Sequence, residues 1–248
     1  MRFLSCTVGS TGISGGNSLK LARQSNHVLL LAALVMGLGG RCVAATIAEV
    51  DAAMKAFVAD QQIAGAQLVL GTATEILRSE SYGVRNTETG AWVDGETQFC
   101  IGSCSKMFAA AVIMSLVADD SVDLEVPIDR WLPEFADLKT VDGSTSRAPT
   151  LRELLCHRGG ICSQRDKLTA SQVRWIRDYR LTLAESVDGI SREKLRGEPG
   201  DQFRYSGAGY CVLGRVAEAA TGKPFDTLLQ ERISRPLGLQ LTTFFPEV

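Results

Sequence analysis

Histidine is scarce in this 248-residue chain: only His27 and His157 occur. No group of cysteines and histidines has zinc-site spacing, so nothing points to a metal. Lys and Arg form no block or stripe, and the formal net charge is −2. A nucleic-acid partner therefore has no electrostatic footprint. The apolar run Val28–Leu38 falls short of the roughly 20 residues that cross a bilayer. Acids are missing altogether from the first 48 residues, where Glu49 is the first to appear.

That last absence has a reading of its own. The same stretch carries Arg2, Lys20, Arg23 and Arg41, then the apolar run, then Cys42-Val43-Ala44-Ala45. A basic region, a short apolar core and small residues form the pattern of a secretory signal, expected to be cut near Ala45. The basic leader is long for such a signal. A lipid anchor through Cys42 fits less well, because bulky Arg41 precedes it. The competing reading is a buried helix. Residues 1–45 are thus expected to be a leader, with the protein periplasmic or extracellular and a membrane met only during export or through that leader. Five cysteines remain beyond it: Cys100, Cys104, Cys156, Cys162 and Cys211. An odd number leaves at least one unpaired within the chain. Cys156 and Cys162 are close enough in sequence to bridge, but the pairing stays open.

What is present is an ordinary globular composition, 45% hydrophobic and 22% charged, enough for a sizeable core in one or two domains. Residues 51–62 have helical apolar spacing. Residues 66–70 and 75–82 read as a strand pair with the turn at Gly71. Residues 107–117 are apolar nearly all round, which predicts a central, buried helix. Residues 126–135 are turn-rich. Thr150 caps a short helix over 151–156, broken by Gly159-Gly160. One amphipathic helix is expected over 170–187, a charged loop over 192–202, and helices over 208–220 and 225–233. The order is helix, hairpin, then a helix-rich block, an α+β arrangement. Residues 46–102 hold the first helix and the hairpin, and 103–248 the helix-rich part.

Ser103 and Lys106 stand at the start of the apolar helix, one turn apart on one face. Helix N-termini carry unpaired N–H groups and a positive dipole end. That setting, with burial by flanking helices, suits a lysine that accepts a proton. The Ser103 N–H could also donate to an oxyanion. Serine is a weak nucleophile without such a base. The spacing alone decides little, because Ser191-Arg192-Glu193-Lys194 repeats it in a charged stretch that reads as a solvated turn or helix start. Ser103 could equally be a capping serine beside a solvated lysine.

The stretch F-C-I-G-S-C-S-K-M-F-A-A-A-V-I-M-S-L-V, followed by V-D-L-E-V-P-I-D-R-W-L-P-E-F, resembles the class C β-lactamase and penicillin-binding-protein-like serine hydrolases. So does T-L-R-E-L-L-C-H-R-G-G-I over 150–161. P-G-D-Q-F-R-Y-S-G-A-G-Y-C-V-L-G-R-V-A-E over 199–218 is similar to the family's second motif region, and I-S-R-P-L-G-L over 233–239 to the segment after it. Four blocks in the right order, from about Ala52 onward, are far more specific than any one motif. The resemblance implies a β-lactamase/DD-peptidase-like fold: an antiparallel sheet flanked by helices, with a helix-rich region beside it. It implies acyl transfer through a serine ester on a β-lactam, a D-Ala-D-Ala peptide or a small ester, with no cofactor. Carried over, Ser103 is the nucleophile, and Lys106 and Tyr205 are its proton-accepting partners, assigned jointly. His157 matches a family histidine and, beside a glycine turn, reads as structural. Tyr210 reads as helix packing, and Cys104 as core.

Two departures accompany the resemblance. Gly207 occupies the position of the usual Asn in the tyrosine motif, where the amide meets substrate and lysine. Glycine offers no such donor, which weakens a β-lactamase reading more than an esterase one. No third motif follows Tyr205 either, since Thr221-Gly222-Lys223 is reversed and expected at a helix end. The chain is therefore expected to be part of a longer serine hydrolase lacking its C-terminal strands, poorly stable and weakly active alone. Robust turnover by the purified chain would overturn that expectation. The alternative function is a non-catalytic relative that binds peptidoglycan-like or peptide ligands.

Overall fold

The computed structural model describes residues 46–60, 63–163, 166–178 and 180–244. The expected leader and its cleavage near Ala45 lie outside the described residues. The described chain forms two compact units, residues 46–97 and 98–244.

In the first unit, Thr46 starts helix α1 (Ile47–Ala59) with a reciprocal cap. Its hydroxyl accepts from the Glu49 N–H at 3.3 Å, and the Glu49 carboxylate accepts from the Thr46 N–H at 2.7 Å, so two otherwise orphaned donors are satisfied. Strands β1 (Gly65–Gly71) and β2 (Ile76–Gly83) form an antiparallel hairpin in which Leu68 lies opposite Glu80, with an irregularity between Leu70 and Gly71. The turn spans Thr72 to Glu75, just past the Gly71 expected, because the Thr72 hydroxyl accepts from the Thr74 and Glu75 N–H groups. Asp51 of α1 accepts from Arg78 at 2.5 Å and from the Tyr82 hydroxyl, tying the helix to β2.

In the second unit, a 3-10 turn over Gly102–Cys104 leads into α2 (Ser105–Ala118). Ala109, Val112, Ile113 and Leu116 bury one face of α2, while Met107 and Met114 are 66% and 47% exposed. The all-round apolar pattern therefore overstated the burial of this helix. A two-residue antiparallel pair follows, β3 (Leu138–Lys139) with β4 (Thr145–Ser146). Thr150 caps α3 (Leu151–Leu155), as expected. The single helix expected over 170–187 is two helices, α4 (Ala170–Arg177) and α5 (Leu183–Ser191). Asp178 leaves helical geometry at ψ 98° and its carboxylate accepts from Arg180, and Thr182 then opens a new capping box with Glu185. Helix α6 (Gly207–Thr221) ends at Gly222, whose φ of 70° is the left-handed cap that glycine takes freely. Helix α7 (Phe225–Leu229) widens into a π turn over Gln230–Ser234.

Helix α6 is the centre of this unit, packed against α2, α3, α4, α5 and α7. Val212, Leu213 and Val216 of α6 meet a core that includes Ile113, Leu154, Ile190 and Leu228, all buried. The architecture is α+β. Among the described residues, no helix is long and apolar enough to cross a membrane.

Candidate active site

Gly102 sets the site's geometry at its first residue. Its φ of 51° is left-handed, a conformation glycine adopts without steric cost. The Ser105 hydroxyl donates to the Gly102 carbonyl at 2.6 Å and closes the turn. Ser103 stands in that turn, two residues before α2 rather than at its first position, and is exposed. Lys106, one turn on, points inward and is only 7% exposed. Here the lysine is not solvated, so the capping-serine alternative loses its premise.

Tyr205 comes from the other side of the unit, in the extended segment ahead of α6. That segment is pinned at several points. The Arg204 N–H donates to the His157 carbonyl at 2.7 Å. The Ser163 hydroxyl donates to the Tyr205 carbonyl at 2.7 Å. The Ser206 N–H donates to His157 Nδ1 at 3.1 Å. Ser206 also caps α6, accepting from the Gly209 N–H at 3.0 Å while its hydroxyl donates to the Cys162 carbonyl at 2.7 Å. Held this way, the Tyr205 hydroxyl donates to Ser103 Oγ at 2.7 Å.

Lys106 completes the group. Its Nζ lies 4.7 Å from the centroid of the Tyr205 ring and 5.5 Å from that of Tyr210, within cation–π range of both. Burial pushes the Tyr205 phenol up. Hydrogen bonding with Lys106 and Ser103, and the charge of Lys106, outweigh burial and leave the phenol below its ordinary value. The arrangement thus makes the Tyr205 phenol easier to ionise than an ordinary tyrosine, beside an accessible serine hydroxyl.

The structure brings Ser103, Lys106 and Tyr205 together, as their sequence blocks implied. Gly207 is the buried first residue of α6 and brings no side-chain donor to the group. Tyr210 does more than pack its helix. Its ring flanks Lys106 while its hydroxyl donates to the Leu155 carbonyl at 3.0 Å. The only sequence signal for that was its place in the Y-S-G-A-G-Y run. His157 packs at a tilt against Tyr205 and Tyr210, with ring centroids 4.5 and 5.1 Å apart. Cys104 is exposed, not core, because the 3-10 turn leaves its side chain short of the buried face of α2. Cys156 and Cys162 are both free thiols, so they do not bridge. The second serine–lysine pair sits at a helix end rather than a start: Ser191 closes α5, its hydroxyl donating to the Asp188 carbonyl at 2.9 Å, and Lys194 is exposed. Thr221-Gly222-Lys223 lies at the end of α6, and Lys223 pairs with Glu231 at 2.6 Å. Among the described residues, no group of three or more His, Cys, Asp and Glu side chains is placed to hold a metal ion.

Known proteins are similar to this chain in sequence and in fold. A family model described as Beta-lactamase matches residues 50–248. Esterase EstB of Burkholderia gladioli is 30% identical over 205 residues, covering 79% of this chain and 51% of that protein. Penicillin-binding protein 4 of Amycolatopsis lactamdurans is 30% identical over 172 residues, covering 66% of this chain and 41% of that protein. The solved structure of EstCE1, described as a hydrolase with promiscuous acyltransferase activity, matches with a TM-score of 0.68 at 26% identity, over 76% of this chain and 50% of that one. The chain spans about half the length of these relatives.

Proposed function

Because the chain belongs to the Beta-lactamase family, we propose that it is a serine hydrolase whose acyl-enzyme forms on Ser103, with small esters as substrates. The observation that carries the reading is the 2.7 Å hydrogen bond between the Tyr205 hydroxyl and Ser103 Oγ, made beside a buried lysine. With Tyr205 ionised, the same contact runs in reverse and Ser103 donates. Ser103 Oγ attacks the ester carbonyl carbon as its proton passes to Tyr205, and the Lys106 cation steadies the phenolate. The Ser103 N–H, in the first turn of the helical stretch, is the candidate donor to the oxyanion. When the tetrahedral intermediate collapses, Tyr205 returns the proton to the leaving alcohol. Water then enters by the same route in reverse order, releasing the acid and restoring Ser103.

Esters are favoured over β-lactams for two reasons. Gly207 supplies no side-chain amide to hold a lactam side chain. The similar proteins EstB and EstCE1 are described as an esterase and a hydrolase. Export of the protein is supported by the acid-free, basic-then-apolar stretch ahead of Glu49. A mature N-terminus near Thr46, read from secreted or periplasmic material, is the expected result.

A fluorophosphonate probe, a nitrophenyl ester and a chromogenic cephalosporin test the reading together. The expected result is covalent label on the Ser103 peptide, lost in Ser103→Ala, with ester cleavage faster than lactam cleavage. Label absent from Ser103 would overturn the hydrolase reading. Lactam cleavage outpacing ester cleavage would overturn the substrate class alone.

A further inference from the structure

The mechanism above leaves the His157 imidazole, packed against Tyr205, without a role. We infer that His157 is a positioning residue for acylation: its neutral ring, locked by Nδ1 to the Ser206 N–H and packed against Tyr205, aims the Tyr205 phenol at Ser103. The inference rests on the serine-hydrolase reading of this site and assigns a device within it.

The backbone comes first. His157 has a φ of 57°, and among the described residues only Asp120 shares a left-handed, non-glycine conformation. Such a residue carries a steric cost of order 1 kcal/mol or more and persists where its surroundings over-determine it. Glycine would relieve that cost, yet this position carries a ring. The left-handed turn lets one residue hold both neighbours of Tyr205. The His157 carbonyl accepts from the Arg204 N–H at 2.7 Å, and His157 Nδ1 accepts from the Ser206 N–H at 3.1 Å. Tyr205 lies between these two anchors, its own carbonyl held by Ser163. An extended segment gripped on both sides cannot slide along its axis, and Tyr205 must stay in register with Ser103.

The ring fixes the remaining freedom. Its planes lie 39° from the Tyr205 ring and 37° from the Tyr210 ring, while Phe203 meets it edge-on at 5.7 Å. Rotation of the Tyr205 side chain away from Ser103 would break the first of these contacts. Tyr205 is thereby set to its task before substrate arrives, which is where positioning contributes to rate.

The lock depends on the proton. An Nδ1 that accepts a hydrogen bond carries no hydrogen, so the imidazole is the Nε2–H tautomer. Protonating Nδ1 would set one N–H against another. The titratable and charged groups around the ring are Lys106 from α2, Tyr205 and Arg204 from the segment entering α6, Tyr210 from α6 itself, and Cys156 and Arg158 beside it in the chain. Burial and the Lys106 charge both push the imidazole down from its ordinary value of 6.5. The lock therefore holds at neutral pH and opens only on acidification below that value.

The test compares wild type with His157→Asn and His157→Gly in the full chain, since both replacements tolerate the left-handed backbone. Asn carries Oδ1 on the same carbon that carries Nδ1 in histidine, so it keeps an acceptor for Ser206 that does not titrate. The readouts are Ser103 labelling by the fluorophosphonate and kcat and KM for a nitrophenyl ester across the acid range. His157→Gly is expected to lower kcat by about 10²-fold with KM little changed, and His157→Asn to recover part of that loss. Below the histidine pKa the wild-type rate should fall with a log slope approaching about two, one proton for Tyr205 and one for His157, while His157→Asn keeps a slope of about one. Nitrogen NMR of the wild-type chain, with only His27 and His157 to assign, gives a reading independent of activity and of variant folding. An Nδ1–H tautomer for His157 at neutral pH would overturn the inference. So would equal acid slopes, or full kcat in His157→Gly. Wild type that never labels on Ser103 would instead sink the hydrolase reading beneath it, and this inference with it.

Discussion

Tyr205 shows how much one hydroxyl is asked to do. It meets Ser103, the proposed nucleophile, in a 2.7 Å hydrogen bond. Tyr205→Phe keeps the ring that packs against His157 and covers Lys106 but removes the proton acceptor. The expected outcome is a fall in kcat of about 10²–10⁴-fold, the usual range for general acid–base catalysis, with KM nearly unchanged. Steady-state ester hydrolysis checks it, and a loss confined to KM would count against Tyr205 as the base. That Ser103, Lys106 and Tyr205 would meet was readable only through the resemblance of their blocks to a known family, because the serine–lysine spacing alone left a capping serine open and Tyr205 alone reads as a core tyrosine. Tyr210 and His157 were not legible as site residues. Their contacts to Lys106 and Ser206 join distant parts of the chain, and no local pattern records such a meeting.

Elements were legible where their boundaries are local chemistry. Thr150 with Glu153 and Thr182 with Glu185 are capping boxes, but only the first was picked out from the sequence. The second lies inside a stretch whose apolar spacing runs on as one helix, so periodicity masked the break at Asp178. Thr182→Ala should cost about 1 kcal/mol, read as a shift of the denaturation midpoint at constant slope. The clamp between α1 and β2 makes a pH prediction. The Asp51 carboxyl is held below its ordinary value, first by the Tyr82 hydrogen bond. Its contribution is present above the unfolded carboxylate pKa and is lost as pH falls through the lower folded value. The same bond is the main reason the Tyr82 phenol is pushed up to about 12 from 10.0. That contribution is complete below the unfolded value and is lost as pH rises through about 12. Subtracting the alkaline phenolate absorbance of Tyr82→Phe from that of wild type should isolate one tyrosine titrating near 12. A difference centred at the ordinary phenol value would mean that the clamp does not form.

At the scale of the whole molecule, the order of helix, hairpin and helix-rich block was readable from the sequence, whereas the central place of α6 was not. Composition shows that a helix is apolar but not which neighbours surround it. Helices α2 and α6 show the difference. Both are rich in small and apolar residues, yet α2 leaves Met107 66% exposed, while Leu213 of α6 is completely buried among the packed helices. This asymmetry predicts unequal responses to the same change. Leu213→Ala leaves a cavity at the junction of several helices and should cost about 2–5 kcal/mol. Met107→Ala removes mostly solvated surface and should stay within about 0.5 kcal/mol. Chemical denaturation of the two variants under identical conditions measures both. Because Tyr205 enters α6 through the Ser206 cap, Leu213→Ala should also slow Ser103 labelling under conditions where the variant is still folded. Equal stability losses at the two positions would show that α6 is not the centre of the core, and the route by which the core holds Tyr205 in place would fall with it.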